Sequence, residues 1–144
     1  MEQVFKEIPG AYFWLADLYA HVGDMNRCKI CYLKAYAHTE NPSCLYQLAL
    51  AFKKTGKQSL LVQAKIYAAK AISAYEEKIG GRSPQVELAN ELYAKICIQM
   101  GNITEAYSVL KRAHSQNHIL LNGLKVLCND VVDTPRRHKE LLKS

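Results

Sequence analysis

The chain has 144 residues, 49% of them apolar, with 19 lysines and arginines against 13 acids and five cysteines. Such a length and apolar content suit one packed domain without disulfide staples and exclude a disordered chain. No apolar run approaches the ~20 residues that cross a bilayer, the opening MEQVFKEIPGAYFWLADL lacks the order of a secretory signal, and the odd cysteine count points to a reducing compartment, cytoplasm or nucleus.

The first predicted helix, YFWLADLYAHV, ends at Gly23. A second follows in CKICYLKA, where Cys28, Tyr32 and Ala35 fall at i, i+4 and i+7 on one face. After Pro42 comes CLYQLALAFKK, ended by Gly56, and then VQAKIYAAKAISAYEEKIG, where Ala64, Ala68 and Ala71 repeat that spacing three residues late. The delay predicts a longer turn over KTGKQSLLVQ. Gly80 and Gly81 read as the terminator of this long helix rather than an anion cradle. After Pro84, ANELYAKICIQM ends at Gly101, and AYSVLKRA carries Ala106, Leu110 and Ala113.

Aligned on Gly23, Gly56 and Gly101, the three first helices agree: Leu15, Leu48 and Tyr93 stand eight residues before the glycine, Ala16, Ala49 and Ala94 seven before, and Tyr19, Phe52 and Cys97 four before. A large, a small and another large apolar residue on one face leave a gap where a second backbone comes close. Each glycine suits the left-handed position that stops a helix. HILLNGLKVLCNDVV then predicts an apolar covering helix, with Ile119, Leu120, Leu124, Leu127 and Val131 near one stripe, and DTPRRHKELLKS a short basic helix with Thr134 as N-cap and Pro135 at N1.

These residues resemble the tetratricopeptide repeat, a helix–turn–helix unit of about 34 residues. The resemblance implies an all-α, right-handed superhelical solenoid of antiparallel helix pairs, with repeats at about 9–42, 43–83 and 84–116, a covering helix at about 117–132 and a basic tail at 133–144. It also implies a non-enzymatic scaffold that takes a peptide or amphipathic helix of a partner protein into a concave groove lined by the first helices. The groove positions it assigns are Phe13 and Asp17, then Tyr46, Leu50 and Lys53, then Glu91, Lys95 and Ile98. Arrays that clamp a chaperone's C-terminal carboxylate need a cationic fork. The matching positions, Phe13, Asp17, Gln47, Leu88 and Leu92, supply none, and Asp17 would repel the ligand.

No nucleophile elbow, phosphate loop or His-Glu-x-x-His occurs, so no enzyme activity and no cofactor are expected. His114 and His118 lie at i, i+4 but within a stretch that reads as a loop, and no acid nearby completes a metal set. Cys28 and Cys31 have the spacing of zinc ligands and redox dithiols. Yet Cys28 shares its offset with Ala106, which makes packing the expected role, and no second ligand pair accompanies it. Residues 43–72 hold five lysines and no acid. With Tyr46 and Phe52, and with Arg136, Arg137, Lys139 and Lys143 in the tail, they support a rival reading as a surface for nucleic acid. A third reading places the chain in a larger repeat assembly, with Leu141 and Leu142 as contact residues.

Overall fold

A computed structural model describes residues 10–80, 83–113 and 117–128. They form seven helices: α1 Ala11–Val22, α2 Met25–Thr39, α3 Ser43–Lys54, α4 Gln58–Ile79, α5 Pro84–Gln99, α6 Ile103–Arg112 and α7 over 118–128. No strand occurs among the described residues. The basic tail, with Thr134, Pro135 and the tail arginines and lysines, lies outside them.

The helix boundaries have local causes. Asp24 and Asn102 cap α2 and α6, each accepting from the backbone N–H three residues on, and Ser83 does the same for α5 with Pro84 in the first turn. The turns after α1 and α5 are closed alike: Asp24 N–H donates to the Tyr19 carbonyl at 3.0 Å and Asn102 N–H to that of Cys97 at 2.8 Å. This arrangement needs a left-handed residue before the donor, and Gly23 and Gly101 supply it at φ 84° and 86°. The α3 turn differs. There the Thr55 hydroxyl donates to the Phe52 carbonyl at 2.7 Å and accepts from Lys57 N–H at 3.3 Å.

The longer turn expected before α4 is absent, because α4 begins at Gln58, two residues after its glycine, as α2 and α6 do. Its first turn, Gln58 and Ser59, is polar and exposed, with no side-chain cap to mark it. Five residues after each glycine stand Cys28, Leu61 and Ala106, all buried. The register is therefore constant. The fully buried Ala64, Ala68 and Ala71 lie further along a helix of 22 residues.

Short links fold each helix back on the one before. Close backbone contact joins α1 to α2 and so on in order to α6; beyond that, α3 also touches α5. The main core runs from Tyr12 and Cys28 through Leu48, Phe52, Ala64 and Ala68 to Leu92 and Ile96. A second, smaller core holds Ala94, Cys97, Ala106, Leu110 and Leu124, the last from α7. The covering helix keeps Leu120 and Leu124 of the expected stripe inward but is rotated away from Ile119 and Leu127. Leu120, Leu121 and Leu124 pack, while Ile119 is 89% exposed and Leu127 is exposed too. At 3.6 residues per turn Ile119 lies roughly 140° from Leu124. Val131 is outside the described residues.

One polar network ties the last two pairs together. Glu105 of α6 accepts from Lys65 of α4 at 2.7 Å, from the Tyr93 hydroxyl of α5 at 2.6 Å and from Asn102 at 2.8 Å. The bonds from Lys65 and Tyr93 hold its carboxyl below the usual range, and the bond to Glu105 raises Lys65.

Candidate functional site

One face of the first helices decides how neighbouring pairs meet. It is formed by the residues nine, five and one before the turn glycine, spaced i, i+4, i+8. In α5 these are Leu92, Ile96 and Met100; the first two are 3% and 0% exposed, and all three pack into the main core. In α3 they are Gln47, Ala51 and Thr55, smaller or polar and all half-buried. In α1 they are Trp14, Leu18 and Val22, left bare at 74%, 64% and 78% exposure.

The consequence in the middle is a hollow of about 460 Å³ between α1 and α3. Gln47, Ala51 and Thr55 all line it, because none is long enough and apolar enough to fill it as Leu92 and Ile96 fill the next junction. Ala20 and Leu50 add apolar surface, and Met25 and Tyr32 of α2 contribute from between the two helices. Asp17 and His21 belong to the α1 side, with His21 Nδ1 2.8 Å from the Asp17 carbonyl and 3.8 Å from its carboxylate. Lys54 and Lys57 stand on the α3 side. Burial raises the Tyr32 hydroxyl far above its ordinary value, so the ring stays a neutral wall.

The expected groove residues divide between this hollow and other surroundings. Asp17 and Leu50 line it. Phe13 meets Tyr32 edge-on, ring centroids 5.4 Å apart. Tyr46 of α3 is half-buried and packs against core residues; its hydroxyl is raised by burial first and then by the charge of Glu91 on α5. Lys53 is half-buried, and its carbonyl accepts from Gln99 Nε2 at 3.3 Å, a further link between those helices. Ile98 packs on the second core and Lys95 is exposed. Of the expected groove residues, Asp17 and Leu50 meet at the hollow between α1 and α3, while Glu91, Lys95 and Ile98 line none of it. His21, Ala51 and the grouping of Lys54 and Lys57 with Asp17 were not drawn from the sequence. The signal was available in the side-chain sizes at that one register.

A second hollow of about 500 Å³ lies between α2 and α4, lined in part by Leu33, Tyr36, Tyr67 and Lys70. Lys29 and Lys70 already stand over the Tyr67 ring, 5.8 and 5.3 Å from its centroid. Phe52, a stacking group in the nucleic-acid reading, is 1% exposed and sits in the core.

Cys28 is fully buried, and burial, then the neighbouring Cys31, pushes its thiol up to about 12. At neutral pH it is a small apolar filler with no thiolate to offer. Among the described residues no three of His, Cys, Asp and Glu gather to hold a metal, and no helix is long and apolar enough to cross a membrane. No protein-family model, no curated protein and no solved structure matches the chain.

Proposed function

We propose that the chain is a tetratricopeptide-like solenoid that works as a non-enzymatic scaffold, binding a peptide or amphipathic helix of another protein on the side lined by α1 and α3. The observation that carries this reading is the hollow between them. It has an apolar interior, charges of both signs at its edges, and a size within the several-hundred-Å³ range of ligand sites. A groove of that make-up suits a mixed polypeptide surface. The consecutive packing of short-linked helices accords with the solenoid.

A photo-crosslinking residue placed at position 51 in cell extract tests the reading, with the same residue at position 66 on the exposed part of α4 as control. Adducts at 51 with a defined protein, absent at 66, are expected. Equal labelling at both positions would move the site elsewhere. The nucleic-acid rival predicts RNA adducts at 51 that fade steeply with salt.

A further inference from the structure

The hollow between α1 and α3 is polarised across its width, and the polarity specifies an occupant. Asp17 is the only formally charged residue of α1, and α3 has no acid. Residues 43–72 contain no aspartate or glutamate, so the local sequence leaves Lys54 and Lys57 without a neutralising neighbour. Neither lysine is held in an ion pair among the described residues. Between the charged edges lie Ala20, Leu50 and Ala51, with room that the leucine and isoleucine of the next junction occupy in their own.

Resting on the scaffold reading, we propose that this cleft takes a polypeptide segment in which a large apolar side chain is flanked, within about one helical turn, by an acidic residue. The apolar side chain enters over Ala51. The acid meets Lys54 and Lys57, and the opposite flank presents a cation or an N–H donor to Asp17. Apolar burial supplies most of the affinity, while the charges set orientation and the rate of encounter. A polyanion is disfavoured, because Asp17 on the facing side repels a continuous run of phosphates.

The test is a random-peptide display library panned on the whole chain, with selected peptides then measured by titration on Lys54→Glu/Lys57→Glu and on Ala51→Phe. Both lysines are exposed, so the double variant keeps its melting transition. Selected peptides are expected to share an apolar residue next to an acid. They should lose about tenfold or more in affinity on Lys54→Glu/Lys57→Glu, the loss of roughly 1.4 kcal/mol, and panning that variant should instead return peptides with lysine or arginine at the acid's place. Peptides that fail on Ala51→Phe but show no acidic preference would overturn this inference and leave the scaffold reading standing. Peptides that bind Ala51→Phe as well as the parent, or a library that yields none dependent on the cleft, would overturn both. Should Ala51→Phe not melt cooperatively, Gln47→Trp fills the same space from the neighbouring turn.

Discussion

Where α5 meets the helices before it, Leu92 and Ile96 disappear into the core, and Gln99 and the Lys65–Glu105 pair bind that junction from its edges. Where α3 meets α1 and α2, the same register carries Gln47, Ala51 and Thr55, and a hollow remains. Leu92, Ile96 and Met100 stand at the same offsets from Gly101 as Gln47, Ala51 and Thr55 do from Gly56, so the difference in packing goes with side-chain size and polarity at three positions. The same helical register is therefore filled at one junction and leaves space at the next. Removing volume from the closed junction should cost far more than adding it to the open one.

Ile96→Ala should show the largest effect, about 2–5 kcal/mol by urea unfolding, because it deletes three carbons from a side chain that is fully buried among core residues. Ala51→Phe, at the equivalent place in α3, should stay within about 1 kcal/mol of the parent, since the added ring enters existing space rather than a packed core. Equal costs at the two sites would break the comparison. They would mean that the hollow between α1 and α3 closes in solution.

The turns are the next level down. A Cβ at Gly101 would meet nothing within 4 Å, so Gly101→Ala isolates the cost of holding an alanine at φ 86°. About 1–2 kcal/mol is expected from that conformation alone. Gly23→Ala should match it, because the same pair of backbone bonds closes both turns. A much larger loss at Gly101 alone would show that the closed junction amplifies small strains, which would sharpen the contrast between the two ends.

The alternation of helices and turns could be read from the sequence because it rests on local chemistry: glycine at the left-handed position, and one apolar face per helix. Cys28 was legible as a packing residue for the same reason. The start of α4 was not, since Lys57 offers no capping side chain and Gln58 and Ser59 look like turn residues. The inward face of α7 was underdetermined, because Ile119, Leu120, Leu121, Leu124, Val126 and Leu127 surround that helix and leave its period ambiguous. Asp17 reaches the cleft as an exposed residue of α1, and Leu50 as a half-buried residue of α3 at the edge of the core. The cleft itself depends on the distance between two helices, and that distance follows from comparing Ala51 with Ile96 rather than from either helix by itself.

The smallest expected effect concerns the polar lock on the closed junction. Lys65 and Glu105 are 2.7 Å apart with side chains 28% and 29% exposed, so their pairing is worth no more than about 1 kcal/mol. Its pH dependence is still readable. Glu105 has its carboxyl lowered by Lys65 and Tyr93, so its contribution is complete above the ordinary carboxylate value and fades as pH falls through the lowered one. Lys65 is raised by Glu105, so its share is complete below the ordinary lysine value and fades as pH rises through the raised one. Urea midpoints of the parent and Glu105→Gln should therefore differ most near neutral pH, begin to converge as pH falls below the ordinary glutamate value of about 4.3, and meet only once the lowered value of the folded chain is passed. A constant difference across that range would show that the stabilisation does not depend on the Glu105 charge, and would make the closed junction a matter of packing and neutral contacts alone.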